Sequence, residues 1–255
     1  MAEAPEVFRS ELLDGVPHGF LGRRGGHSTG LVAGLNAGLG SLDEPGAVQA
    51  NRALVAQTVL PDARLVSVYQ VHSAGCVTVN QPWNDDRRPE ADALVTDRRG
   101  LLLGIVTADC APVLLADRAA GVIGAAHAGW KGAVAGVTDN TIAAMEVLGA
   151  QRSRIVAAVG PCIAQASYEV DRGFVERFCA DDPANQRFFA ESTPGHAQFD
   201  LEGYVAARLE SAGIGAVERL GRDTYPDPAR FYSFRRATHL GEPDYGRQIS
   251  LIGLE

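Results

Sequence analysis

The chain has 255 residues, of which 46% are hydrophobic and 21% charged, and its formal net charge is -8 at pH 7. That length and apolar content suit one large packed domain and exclude a disordered chain. The acidic balance argues against a general nucleic-acid backbone binder, although a local Arg/Lys pocket can still take a small anion.

The start, Met1-Ala2-Glu3-Ala4-Pro5-Glu6, is acidic and has no apolar core, so no signal peptide is expected. Residues 7–21 alternate loosely, as an opening hairpin around Asp14-Gly15 would. Gly22 to Gly30 is a Gly-rich loop carrying Arg23 and Arg24, which reads either as an anion cradle or as a turn with solvated arginines. Leu35 to Gly40 is a second glycine-punctuated stretch, and Pro45 to Leu60 has helical spacing at Val48, Arg52, Val55 and Val59. Leu65 to His72 reads as a strand ending at His72, Asn84 to Glu90 as a loop, and Ala91 to Asp97 as a short strand carrying Asp92. Apolar runs at 101–106, 112–117 and 121–127 follow at tight-turn spacing, which predicts consecutive antiparallel hairpins. The run from Leu101 to Ala116 is interrupted by Asp109 and Pro112, so no membrane span is expected.

Gly132 to Leu148 predicts one helix, and Ile155 to Val159 a buried strand stopping at Gly160. Asp171 to Phe178 is an amphipathic helix, 181–194 a surface loop with a short helix, and Leu201 to Gly213 a helix. Phe231 to Arg236 closes a strand-like run, and Gly246 to Leu254 is a terminal strand. No repeat or linker divides the chain. The fold class expected is α/β, a single domain over residues 1–255 with mixed β-sheets covered by helices. The four cysteines, Cys76, Cys110, Cys162 and Cys179, form no CxxC pair, so free thiols, metal ligation or catalysis in a cytoplasmic protein are expected.

Three residues with ligand or nucleophile chemistry stand at ends of apolar runs: His72, Cys110 and His127. Two imidazoles and a thiolate suit a catalytic zinc site with an open fourth position. The same residues also suit a metal-free thiolate, Cys110, with a histidine base oriented by an aspartate. A buried cysteine with two satisfied histidines is the purely structural alternative. Spacing alone does not choose among the three.

Several motifs together resemble one family. They are Arg23-Arg24-Gly25-Gly26-His27-Ser28-Thr29-Gly30, Leu35-Asn36, Asn51-Arg52, Gln70-Val71-His72 and Ala91-Asp92-Ala93-Leu94-Val95-Thr96. Thr107-Ala108-Asp109-Cys110-Ala111-Pro112, His127-Ala128-Gly129-Trp130-Lys131-Gly132, Gly160-Pro161-Cys162-Ile163, Phe231-Tyr232-Ser233-Phe234-Arg235-Arg236 and Gly246-Arg247 continue the series. In this order they resemble the YfiH family, variously described as laccase-like polyphenol oxidase, peptidoglycan editing factor and purine nucleoside phosphorylase. The resemblance implies a layered sandwich of sheets and helices, and a zinc site at His72, Cys110 and His127, with copper as the alternative ion. It implies phosphorolysis of adenosine, inosine and methylthioadenosine and hydrolytic deamination of adenosine, with purine nucleoside and phosphate as partners. His27 replaces a usual valine, and Asp223-Thr224 a common Cys-Thr.

For that chemistry Arg23 is the first candidate for phosphate and Lys131 the second, by charge and by loop placement. Asp109 and Asp92 are candidate proton-transfer groups or partners that orient the histidines. Asn36 and Gln70 are candidates for reading purine or ribose. A multicopper laccase needs more histidines than the six present. A Cys110-dependent amidohydrolase acting on peptidoglycan precursors, and a binding protein stabilised by zinc with Cys162 as fourth ligand, are the remaining alternatives.

Overall fold

Runs of Leu, Val, Ile and Ala buried on both faces set the architecture of the computed structural model, which describes residues 4–180 and 182–255. The acidic start at Met1–Glu3 and the loop residue Asp181 lie outside the described residues. In chain order the strands are β1 (Val7–Phe8), β2 (His18–Leu21), β3 (Arg64–Ser67), β4 (Cys76–Thr78), β5 (Ala93–Thr96), β6 (Leu101–Thr107) and β7 (Ala111–Asp117). There follow β8 (Val122–Ala128), β9 (Val156–Val159), β10 (Glu169–Asp171), β11 (Phe189–Glu191), β12 (His196–Phe199), β13 (Ala216–Arg219) and β14 (Gln248–Gly253). The helices are α1 (Pro45–Val59), α2 (Trp130–Ala135), α3 (Val137–Val147), α4 (Arg172–Cys179), α5 (Leu201–Ser211) and α6 (Phe234–Leu240).

One sheet has the order β1-β2-β14-β6-β3, a second β13-β9-β7-β8-β5-β4, and a small third β10-β12-β11. The period of two along each strand assigns every side chain to a layer. Leu103 and Ile105 of β6 face Leu114 of β7 and Ile123 and Ala125 of β8, which fills the space between the two large sheets. Leu102, one residue out of phase, packs with Val55 and Val59 of α1 on the outer face. On the far side Val113, Leu115 and Ala126 meet Ile142 and Met145 of α3 and Leu209 of α5. The result is helix, sheet, sheet, helix: the layered α/β sandwich with mixed sheets. Among the described residues no helix is long and apolar enough to cross a membrane.

Four expectations are corrected. The tight turn after β6 is not a hairpin: β6 pairs with β14 and β3, whereas β7 pairs with β8 and β9. The chain therefore leaves one large sheet and enters the other across Ala108-Asp109-Cys110, with Asp109 at φ 82°. The strand leading to His72 stops at Ser67, and His72 sits in a loop at φ 60°. The helix expected over 132–148 is broken at Gly136, whose φ of 92° ends α2 and starts α3. Phe231 to Arg236 is not strand: Ser233 accepts the Arg236 amide and caps α6.

Candidate active site

Cys110 enters the site from the crossover into β7, and His127 from the end of β8, where it lies opposite Pro112 in the ladder. His72 arrives on the loop after β3. Three separate segments thus supply donor atoms that all lie within 4.8 Å of one another. Cys110 Sγ is 3.9 Å from His72 Nε2, and the two imidazoles meet edge to face with centroids 4.7 Å apart. Gly129 closes the other side, since a Cβ there would lie 2.9 Å from Cys110 Sγ and 3.0 Å from His72 Cδ2.

One buried carboxylate assembles this cluster. Asp92 accepts the Nδ1 proton of His127 at 2.8 Å and the backbone amides of His72 at 3.0 Å and Ser73 at 2.6 Å. It also takes the Ser73 hydroxyl at 2.8 Å and the Val71 amide at 3.3 Å. Burial alone would raise its pKa, but His127 and Ser73 hold it well below the ordinary carboxylate range. With Nδ1–H committed to Asp92, the Nε2 lone pair of His127 is left for a ligand. Burial likewise opposes the charged forms of Cys110 and His127, yet their mutual attraction, helped by His72 and Asp92, lowers the thiol and raises the imidazole. Two imidazole nitrogens and a thiolate at this separation fit a single borderline-soft ion with a free coordination position.

Asp109 plays a comparable part beside the cluster. Its carboxylate accepts Thr224 Oγ1 at 2.7 Å, Ser233 Oγ at 2.9 Å and the Arg235 amide at 2.6 Å. Burial raises its pKa against those three donors. Of the two roles expected for Asp92 and Asp109, proton transfer or orienting the histidines, the hydrogen bonds of Asp92 match the orienting one, whereas those of Asp109 reach Thr224, Ser233 and Arg235. His72, Cys110, Ala108 and Asp109 open onto a cavity of about 690 Å³, whose wall includes Trp130, Lys131, Tyr168, Phe174, Phe234 and Arg235. His72, Ala108 and Cys110 also face a second cavity of about 290 Å³ with Gln70, Arg88, Tyr245 and Arg247. The exposed apolar residues Val71 and Phe234 border the larger cavity and Tyr69 the smaller, which is where unburied apolar surface marks a binding site.

The remaining expected site residues separate. Lys131, the chain's single lysine, lines the larger cavity with its Nζ 5.7 Å from the Trp130 ring centroid. Gln70 borders the smaller cavity, but its amide group is committed to both backbone groups of Val106. Arg23 lines neither cavity; it donates to the carbonyls of Pro228 and Ala33 and stacks on Tyr232. The Gly-rich loop around it is closed on itself, with Ser28 and Gly34 exchanging backbone bonds and Asn51 taking the His27 amide. Asn36 is fully buried and holds Ser41, Asp43, Gly38 and Arg247. Neither Arg23 nor Asn36 lines either cavity, so the structure does not bring them to the donor cluster. Cys162 is outside the donor cluster, so no four-ligand closed site is formed from it. Of the two motif departures, His27 lies in the Gly-rich loop with its amide on Asn51, and Asp223 ties the amides of Ala164 and Tyr225, while Thr224 beside it bonds Asp109.

A family model described as multi-copper polyphenol oxidoreductase laccase matches residues 17–255. The chain belongs to this family, the laccase-like YfiH family. A purine nucleoside phosphorylase of Streptomyces coelicolor is 43% identical over 209 residues, 82% of this chain and 85% of that one. One of Deinococcus radiodurans is 43% identical over 242 residues, 94% and 89% of the two chains. Among solved structures, the hypothetical protein YfiH of Bacillus licheniformis superposes with a TM-score of 0.89 at 29% identity, covering 99% of this chain and 98% of that one. The Neisseria meningitidis protein NMB0706 gives 0.88 at 32% identity, with 99% and 100% covered.

The cavity walls contain residues to which the sequence assigned no role: Tyr168, Phe174, Phe234, Arg235, Arg88 and Arg247. Phe234, Arg235 and Arg247 stand inside the family motifs, the one signal that could have found them. Arg88 stands in a polar loop, and nothing local distinguishes it.

Proposed function

We propose that the chain is a zinc-dependent purine nucleoside phosphorylase acting on adenosine, inosine and methylthioadenosine, with hydrolytic deamination of adenosine as a second activity. The observation that carries this reading is the His72–Cys110–His127 donor set, open to a cavity walled by aromatic and charged side chains. Relatives named purine nucleoside phosphorylase at 43% identity support it. In phosphorolysis a phosphate oxygen bonds to the ribose C1′ while the bond from C1′ to the purine nitrogen breaks. The electron pair leaves on the purine, which gains the proton given up by hydrogen phosphate.

Zinc bound at the donor set supplies Lewis acidity towards an oxygen of substrate or water. The chain's own residues prepare the site. Asp92 fixes His72 and His127, Asp109 takes the Arg235 amide at the cavity wall and the buried Thr224 hydroxyl behind it, and Trp130, Tyr168, Phe174 and Phe234 offer faces for a purine. The four cysteines are all free, in keeping with the reducing cytoplasm.

A metal-free reading has its own observation, the lowered thiol of Cys110 beside two imidazoles, and would make Cys110 the nucleophile of an amidohydrolase. A multicopper oxidase needs several ion sites. The described residues contain one such donor set, which favours a single ion, zinc before copper.

Metal analysis of protein purified without chelator, paired with chromatography of adenosine incubated with and without phosphate, tests the proposal. Zinc at about one ion per chain, adenine with ribose 1-phosphate only when phosphate is present, and inosine with ammonia in its absence are expected. Cys110→Ala should lose zinc and both products. Zinc with untouched nucleosides would sink the phosphorylase. Metal-free protein with an activity abolished by thiol alkylation would make Cys110 a nucleophile.

A further inference from the structure

Two cavities meet at the donor cluster, and His72, Ala108 and Cys110 belong to both. Their charge differs. The larger sets Lys131, Arg235 and His196 against three carboxylates, Asp109, Glu169 and Asp171. The smaller contains Arg88 and Arg247 and no carboxylate along its wall. Among the described residues neither arginine has a salt-bridge partner.

Both guanidinium groups are nonetheless held in place. Arg88 Nε donates to the Asp85 carbonyl at 2.8 Å, and its head lies 5.8 Å from the Tyr69 centroid. Arg247 sits 4.3 Å from the Tyr245 centroid, and its amide donates to Asn36 Oδ1 at 2.9 Å. Its stem runs against Gly38, where a Cβ would be 2.8 Å from Arg247 Cδ, so the glycine makes room for it. Thr107 Oγ1, buried at the wall of this lobe, has no hydrogen-bond partner among the described residues. Ordered, unpaired arginines in a lobe of one sign form a site for a tetrahedral oxyanion, because the planar fork matches two of its oxygens.

We infer that the smaller lobe is the phosphate subsite, with Arg88 and Arg247 as its ligands, and that the purine occupies the larger lobe. The inference rests on the phosphorylase reading above. It places ribose across the His72–Ala108–Cys110 seam, so that phosphate reaches C1′ from the arginine side as the purine departs towards Trp130, Tyr168 and Phe174. It also moves the phosphate away from Arg23, which bonds backbone carbonyls, and from Lys131, which shares its lobe with carboxylates.

The test compares wild type with Arg88→Met and Arg247→Met in two measurements. One is phosphorolysis at varied phosphate and varied nucleoside; the other is calorimetric titration of inorganic phosphate alone. Each substitution should raise the KM for phosphate about ten- to a hundredfold, the loss expected for a charge-assisted contact, and leave the nucleoside KM within about twofold. The calorimetric phosphate affinity should fall in parallel. Arg88→Lys and Arg247→Lys, which keep charge and bulk, should recover part of it and serve if a Met variant fails to fold. A raised nucleoside KM with an unchanged phosphate KM would overturn the assignment and put the purine in the smaller lobe. Absence of phosphate binding by the wild type, or binding that the substitutions do not alter, would overturn it too. A wild type that binds phosphate through these arginines but cleaves no nucleoside would support the subsite while refuting the phosphorylase reading.

Discussion

Asp92→Asn tests whether one carboxylate assembles the donor cluster. Asp92 is fully buried, and its two oxygens take five hydrogen bonds. An asparagine keeps the shape but turns one acceptor into a donor. If its nitrogen takes the Oδ1 place, it meets the His72 amide and His127 Nδ1; at the Oδ2 place it meets the amides of Val71 and Ser73. His127 can relieve the first conflict only by moving its proton to Nε2, which blocks the lone pair left for a ligand. Each buried donor left unpaired costs about 1–3 kcal/mol, so one or two of them amount to about 1–6 kcal/mol against a typical domain stability of about 5–15 kcal/mol. Zinc affinity should fall about 10- to 100-fold, the usual effect of losing a partner that orients a ligand. Competition with a chromophoric zinc chelator measures the affinity, and thermal melting of the metal-free variant measures the stability cost. Zinc affinity within about twofold of wild type, in a variant that melts like wild type, would refute the reasoning.

Three further outcomes are expected. Gly129→Ala should fold almost normally, because Gly129 has an ordinary extended backbone (φ -68°, ψ 157°), yet lose about tenfold or more in zinc affinity as its Cβ crowds Cys110 and His72; a normal affinity by the same competition would contradict it. In the metal-free protein iodoacetamide at neutral pH should label Cys110 first, since burial raises Cys76 to about 12 and also raises Cys162 and Cys179, and zinc should protect it. Peptide mass spectrometry reads this directly, and preferential labelling of another cysteine would count against it. Asp117→Asn should cost about 1–3 kcal/mol in denaturant melts, mostly through the amides of Ala119, Ala120 and Gln151, because the partner Arg154 is half-exposed and its charge is screened. Burial opposes the ionised form of Asp117, but Arg154 and those amides lower its pKa overall. Its contribution is therefore complete above the ordinary carboxyl pKa of about 3.9 and is lost as pH falls through the lower folded value, so the variant should show a shallower acid limb.

The donor set was legible because Cys and His are rare here and stand at or just past the ends of apolar runs, even though the strand before His72 stops at Ser67 and His127 is buried. The buried strands were legible for the same reason: 101–106 and 112–117 read as continuous hydrophobic runs. Their connection was not. A tight turn suggests a hairpin, and only the tertiary structure shows that Asp109, at φ 82°, sends the chain from one large sheet into the other. The small third sheet was missed because its strands have three or four residues and little alternation. For Asp92 and Asp109 the choice between proton carrier and orienting partner stayed open, because nothing local shows how many amides and hydroxyls surround them. Arg23 looked like an anion ligand beside glycines, but those glycines serve close backbone approach: a Cβ on Gly34 would strike the Arg23 carbonyl. Arg88 is one basic residue among 23, and its role follows only from what it faces.

The left-handed backbone at His72 and Asp109 gives these carboxylates a physical purpose. Among the described residues only Asp62, His72 and Asp109 have positive φ without being glycine, and two of the three are at the site. Each such residue stores about 1–3 kcal/mol of strain. The His72 amide bonds Asp92, and Asp109 itself holds three donors. Hydrogen bonds to a charged group contribute about 1.5–3 kcal/mol each, so the carboxylates outweigh the strain and keep the crossover and the His72 loop in one geometry before substrate arrives. Asp92, with five donors on its two oxygens, has no lone pair to spare for shuttling a proton, and Asp109 has three of its roughly four acceptor positions filled. On the phosphorylase reading proposed above, the departing purine would take its proton from the reactants, since hydrogen phosphate carries one.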